Sequence, residues 1–163
     1  AISEIIKEIP DFRFLILGGG PFLGELKEKA SDLGVLRYVD FSGFVEDSVE
    51  VEKKLSYCAL AIALYEKYDE NGDLSFTYFA DPGKIKLYLA CGLPVLLSDV
   101  PYNALEIHNK KCGLIISEEK EIIANAVTAL MSNQEKLKKY KENAYLYSRN
   151  FDWNRIFGNL FDL

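Results

Sequence analysis

Histidine occurs once in this chain, as His108, and the three cysteines, Cys58, Cys91 and Cys112, form no C-x-x-C pair. Soft metal ligands are therefore too few for a structural zinc site. The thiols read as buried side chains of a reducing compartment, which places the chain in the cytoplasm. Basic residues are in the minority, 19 Lys+Arg against 25 Asp+Glu for a formal charge of −6. Binding to a phosphate backbone needs the opposite balance, which excludes nucleic acid as the main partner. No apolar run approaches the roughly 20 residues that span a bilayer, and the first residues lack the basic n-region and cleavage site of a signal peptide. Apolar material is plentiful, 49% of 163 residues, with 27% charged. That balance suits one globular domain over residues 1–163 with a sizeable core.

Apolar spacing alternates between helical and strand periods along the chain. Ile2, Ile5, Ile6 and Ile9 recur at helical spacing until Pro10-Asp11, and residues 12–17 form an apolar strand that ends in Gly18-Gly19-Gly20-Pro21. An amphipathic helix over 23–33 closes at Gly34, a strand follows at 38–42, and a helix at 49–57 takes Ser48 as its N-cap. Residues 58–64 read as a strand, and 65–81 as one long irregular segment with Asn71-Gly72 and four aromatics. Beyond a strand at 95–97, the pattern gives a short helix at 102–109, a strand at 113–116, an amphipathic helix through Met131, and a charged helix at 134–149. Strands alternating with helices predict an α/β fold with a doubly wound parallel sheet and right-handed crossovers.

The richest stretch is DPGKIKLYLACGLPVLLSD, residues 81–99. Pro82-Gly83 breaks the loop, Lys84 opens a helix that carries Tyr88 one turn later on the same face, and Gly92-Leu93-Pro94 turns into the all-apolar strand Val95-Leu96-Leu97. A helix start presents free N–H groups and the positive end of a dipole. A lysine and a tyrosine beside it therefore make a seat for a diphosphate.

This segment resembles the P-x-K-hydrophobic-x-E-Y-hydrophobic-A-x-G-x-P-V signature of group 1 glycosyltransferases of the two-domain GT-B type. Lys84, Tyr88, Leu89, Ala90, Gly92, Pro94 and Val95 match it. The resemblance covers essentially the whole chain and implies a Rossmann-like C-terminal, donor-binding domain. By it, the parent enzyme transfers a sugar from a nucleotide-sugar, a UDP-sugar first among donors, to a glycan or lipid-linked acceptor. It implies no metal and no further cofactor. In the family this domain begins with a central strand and glycine turn that find no counterpart before residue 2. The chain then reads as a fragment lacking the N-terminal acceptor domain, inactive alone. Its sheet must close up, leave a gap, or accept a strand from another copy, which favours self-association.

In open α/β sheets ligands bind beyond the carboxyl ends of the strands. The first loop there is Gly18-Gly19-Gly20-Pro21, which is not G-x-G-x-x-G, and no acidic residue ends the next strand as a dinucleotide ribose requires. By the resemblance Gly18 and Gly20 shape the cleft, and a plain left-handed turn explains them equally well. In relatives the second loop, here Gly43, Phe44 and Val45, meets the nucleobase, but Phe44 also suits a core. Relatives often carry two glutamates eight positions apart. Phe79 and Leu87 stand there instead and accept no hydrogen bond, which leaves Asp81 and Asp73 as substitutes. Lys84, with Tyr88, is expected to meet the departing nucleoside diphosphate as the glycosidic bond breaks. Lys136, Lys138, Lys139 and Lys141 with Tyr140, Tyr145 and Tyr147 offer a basic aromatic face to an anionic membrane or lipid-linked acceptor, although a face so interspersed with acids is usually only solvated. The closing Phe151-Asp152-Trp153 matches the family's F-x-W, whose tryptophan anchors the tail. A noncatalytic scaffold subunit and a nucleotide-dependent epimerase or dehydrogenase are the rival readings.

Overall fold

The computed structural model describes the backbone of residues 1–161 and the side chains of residues 1–158. Helices α1 (Ile2–Glu8), α2 (Leu23–Asp32) and α3 (Ser48–Ser56) alternate with strands β1 (Phe14–Leu17), β2 (Val39–Gly43) and β3 (Ala61–Ala63). A one-turn helix α4 (Phe76–Phe79) precedes α5 (Gly83–Ala90), β4 (Val95–Leu97), α6 (Ala104–Asn109) and β5 (Gly113–Ile115). Helices α7 (Lys120–Met131), α8 (Gln134–Ser148) and α9 (Trp153–Phe161) end the chain.

Every strand pair is parallel, with Phe14 opposite Val39, Ala61 opposite Val95, and Val95 opposite Gly113. The ladder is divided, however, into β1-β2 and β3-β4-β5, each hydrogen-bonded within itself. The halves still share their cores. Phe14 of β1 and Ile62 of β3 pack into one cluster with Ile5 of α1, Leu96, and Ala124 and Val127 of α7. On the opposite face Leu17 of β1 meets Ala61 and Leu55 in one cluster. Helices thus cover both faces, as a doubly wound arrangement requires.

The central strand explains the all-apolar reading of 95–97. Val95 and Leu97 face Ile85 and Leu89 of α5, Ile107 of α6 and Tyr147 of α8, whereas Leu96 faces α1 and α7. All three strand residues are fully buried, each contributing about 1.5–3 kcal/mol of apolar transfer.

Local differences from expectation have physical causes. Asp47, not Ser48, caps α3, because its carboxylate accepts the Val49 N–H at 2.9 Å. Residues 65–81 are ordered: Tyr68 bridges Leu74 in a hairpin, and the Asp69 carboxylate accepts the N–H groups of Asn71 and Asp73. Tyr140 and Tyr147 are core residues, 9% and 6% exposed, so of the α8 tyrosines only Tyr145 stands outside with the lysines. Trp153 does not anchor the tail. It is 70% exposed and stacks on Phe157, while Phe151 packs edge-on against Tyr147 at 5.2 Å.

Candidate functional site

The carboxyl ends of β3 and β4 carry the polar groups that the sequence singled out. Tyr65 lies two residues past β3 and is pinned to the end of β4. The Ser98 hydroxyl accepts its N–H at 2.8 Å and donates to its carbonyl at 2.9 Å. Ser98 is itself buried, so this two-way bond fixes the backbone of Tyr65.

Lys84 is the second residue of α5, whose start has no side-chain cap. The Ile85 N–H donates to the Pro82 carbonyl at 3.0 Å, which leaves the Gly83 and Lys84 amides at that end to an anion. The exposed Lys84 ammonium stands 4.7 Å from the centroid of the Tyr65 ring. A cation over a ring face is held by the quadrupole while its outer side stays open to a ligand. Lys84 thus lies beside the segment that leaves the carboxyl end of β3.

Tyr88 follows one turn later and is half-buried among residues of both neighbouring clusters. Burial, then the proximity of Cys58, pushes its phenol up. Burial, then Tyr88, pushes Tyr65 up to about 12. Both phenols are therefore neutral at ordinary pH and remain hydrogen-bond donors. The Tyr65 hydroxyl is buried without a partner, as are both amide atoms of Asn103, a 3% exposed residue on the loop leaving β4.

Asp81 takes another role. Its carboxylate pairs with Lys86 at the surface, and Lys86 also lies over the Phe151 ring. Asp73 belongs to the hairpin, where its carbonyl accepts the Asp69 N–H at 2.8 Å.

The glycine turns gather at the carboxyl ends of β1 and β2. Gly18 (φ +147°) donates its N–H to the Gly43 carbonyl at 2.8 Å, and Gly43 holds φ +68°, so both use backbone that other residues rarely adopt. A Cβ at Gly19 would sit 3.5 Å from Phe44, which shows how closely the two loops approach. Gly20 has open space around it and no left-handed φ. Phe44 is 79% exposed, which settles its role against core packing, and Val45 beside it is half-buried. The sequence-selected residues thus form two groups. Gly18, Gly20, Gly43, Phe44 and Val45 lie on the β1-β2 half, and Asp81, Lys84 and Tyr88 on the other.

Tyr65 escaped the sequence reading, although it is the first aromatic past an apolar strand-length run. Cavities of about 590 and 470 Å³ open elsewhere, at the amino ends of the strands. Arg13, Arg37, Lys54 and Tyr57 line the first, and Tyr57, Leu137 and Lys141 the second. They do not bear on Lys84.

The family model for Glycosyl transferases group 1 matches residues 1–133. Among curated relatives, the alpha-monoglucosyldiacylglycerol synthase of Streptococcus pneumoniae is 28% identical over 132 residues, covering 81% of this chain and 27% of the relative. The chitobiosyldiphosphodolichol beta-mannosyltransferase of Candida albicans is 26% identical over 165 residues, covering 98% of this chain and 34% of the relative. The chain thus spans about a quarter to a third of the length of these relatives. Among solved structures, the pneumococcal O-GlcNAc transferase GtfA in complex with UDP and GlcNAc superposes with a TM-score of 0.75 at 19% identity. That match covers 98% of this chain and 30% of the other. The shared architecture is that of GT-B glycosyltransferases.

Proposed function

The chain belongs to the group 1 glycosyl transferases, and from that premise we propose that it forms the nucleotide-sugar-binding wall of a two-domain GT-B enzyme. The reaction is transfer of a sugar from a nucleotide donor, a UDP-sugar, to a glycan or lipid-linked acceptor. One observation carries the reading: the Lys84 ammonium at the uncapped start of α5, held over Tyr65 at the carboxyl edge of the sheet. As the glycosidic bond breaks, negative charge grows on the β-phosphate. Lys84 and the α5 amides are positioned to stabilise that charge, so Lys84 is the catalytic residue and no metal is required. Tyr88 and Tyr65 stay protonated and can donate to phosphate oxygens, while the turns at Gly18, Gly20 and Gly43, with Phe44 and Val45, face the base. The UDP in the GtfA complex and the glycolipid product named for the pneumococcal synthase support this choice of donor and acceptor.

We place the protein in the cytoplasm, in peripheral contact with the membrane that holds a lipid-linked acceptor. No helix among the described residues is long and apolar enough to cross a membrane. The acceptor wall belongs to the rest of the parent, so this chain alone is inactive. The unpaired edges of β1 and β3 favour self-association, readable by sedimentation. A second reading, a noncatalytic subunit that keeps the fold, is favoured by Phe79 and Leu87, apolar where relatives often hold glutamates.

Calorimetric titration with UDP, GDP and ADP tests the proposal. UDP is expected to bind, and Lys84→Ala to weaken it about 10- to 100-fold, the loss of one charge-assisted contact. UDP binding that ignores Lys84, or no nucleotide binding, refutes it. In the parent, UDP binding without sugar transfer selects the noncatalytic reading.

A further inference from the structure

Segment 65–81 carries a feature that the diphosphate seat does not use. Tyr68, Leu74, Phe76, Tyr78 and Phe79 are all exposed, and Phe76 and Phe79 reach 83% and 69%. Such exposure normally accompanies a loose loop, yet this backbone is tied down. The Ser75 N–H reaches the Lys67 carbonyl at 2.9 Å, the Thr77 hydroxyl reaches the Glu66 carbonyl at 2.9 Å, and Ser75 caps α4. Rigid backbone that presents apolar rings to water marks a contact surface.

We infer that Phe76 and Phe79, braced by Tyr78, form a stacking ledge for a neutral carbohydrate chain beside the Lys84 seat. The two phenylalanines stand three positions apart on one turn of helix, which sets their Cβ atoms about 5–6 Å apart, the scale of one pyranose unit. Tyr78 meets the Phe79 ring edge-on at 5.2 Å, and the Lys67 ammonium lies over the Tyr78 and Tyr68 rings. Flat apolar rings receive the C–H faces of sugars, and the surrounding Glu66, Glu70 and Asp73 can accept sugar hydroxyl groups. Charge argues against an anionic lipid surface, since residues 66–73 hold four acids, Glu66, Asp69, Glu70 and Asp73, against one Lys67. Area argues against a protein partner or a second copy. Three aromatic rings offer at most about 450–750 Å² on this side, short of the roughly 800 Å² per partner of a standard interface. Two acidic ledges would also repel each other.

The inference extends the glycosyl-transfer reading to the sugar chain of the acceptor and does not depend on UDP binding. The test is saturation-transfer NMR on the 163-residue chain with maltotriose, cellotriose, chitotriose and mannotriose, without nucleotide. Saturation is expected on the pyranose C–H protons of at least one trisaccharide. Phe76→Ala with Phe79→Ala should weaken that binding tenfold or more, with an unchanged melting temperature because both rings are exposed. Four outcomes overturn the inference: no transfer to any trisaccharide, transfer that survives the double substitution, Phe-dependent pelleting with phosphatidylcholine–phosphatidylglycerol vesicles, or a Phe-dependent doubling of mass. A UDP titration of the same double variant keeps the two proposals separate, since its UDP affinity should equal that of the parent chain.

Discussion

Replacing Gly113 by alanine tests the packing of the β4-β5 ladder at its tightest point. A Cβ at Gly113 would lie 2.1 Å from the Val95 carbonyl oxygen, and 3.0 Å from both the Val95 carbonyl carbon and Ile107 Cγ2. The first neighbour is backbone inside the ladder, where Val95 stands opposite Gly113, so it cannot rotate away as a side chain can. Relief requires the strands to part by roughly 1 Å. Overpacking of this kind costs about 1–3 kcal/mol. Weakening the adjoining bonds, among them the 3.1 Å bond from the Val95 N–H to the Cys112 carbonyl, adds about 1 kcal/mol each. A total of about 3–5 kcal/mol is a large share of the 5–15 kcal/mol typical of a domain. It should lower the melting temperature by about 6–20 °C at 2–4 °C per kcal/mol. Gly20→Ala is the control, with open space around it and no left-handed φ, and should change stability by less than about 1 kcal/mol. Thermal and urea unfolding followed by circular dichroism measure both. A Gly113→Ala protein that melts within about 2 °C of the parent would refute the packing described.

Stability should fall in alkali. The Tyr65 phenol is raised from 10 to about 12 by burial, and burial with the Glu106 contact raises Tyr147. Groups with raised folded values contribute stability that is complete below pH 10 and lost as pH climbs through the folded value. Melting curves from pH 8 to 12 should show this decline, and Tyr65→Phe should make it shallower; an unchanged slope contradicts the assignment. At the tail, Phe151→Ala should cost about 1–3 kcal/mol and Trp153→Ala less than about 0.5 kcal/mol, because only Phe151 joins the Tyr147 cluster. Urea titration decides, and the reverse order restores the tryptophan as anchor. Asp81→Asn should leave UDP affinity within about threefold, because the Asp81 carboxylate is engaged by Lys86 rather than aimed at the seat. A tenfold loss by calorimetry would return Asp81 to the site.

Residues 81–99 were legible because their apolar spacing and glycine-proline turn are local signals. Lys84 and Val95 emerged where the pattern put them. The hairpin at 65–75 was harder. Asn71-Gly72 signals a turn, but Tyr68 and Leu74 pair through a single bridge, too little for a strand pattern. Trp153 and Tyr140 misled for opposite reasons. Period and composition do not say which face of a terminal helix finds a partner, so a tryptophan was left exposed and a tyrosine went inside. Tyr65 was invisible as a site residue because its interest lies in a missing bond, which only three-dimensional neighbours disclose. His108 is exposed on α6, and its Nδ1 accepts the Ile115 N–H at 3.2 Å, a bond to β5 that helical spacing does not encode.

The division of the sheet bears directly on the site. Gly18 and Gly43 are joined by a backbone bond within the β1-β2 half, and Tyr65 and Ser98 by two within the other. Each half of the site is therefore rigid in itself. Between them run shared apolar clusters, one taking both Phe14 and Ile62 on one face and one taking Leu17 and Ala61 on the other. Such contacts are non-directional and yield to small displacements more readily than a hydrogen-bonded ladder. A nucleotide whose base meets Phe44 and whose diphosphate meets Lys84 must bridge that seam. Binding would then fix the separation of the two halves, and hydrogen exchange at β1 and β3 should slow in the presence of UDP, while β4, fully buried and paired on both sides, should change least. Equal slowing in all five strands would show that the seam is as stiff as the rest of the sheet.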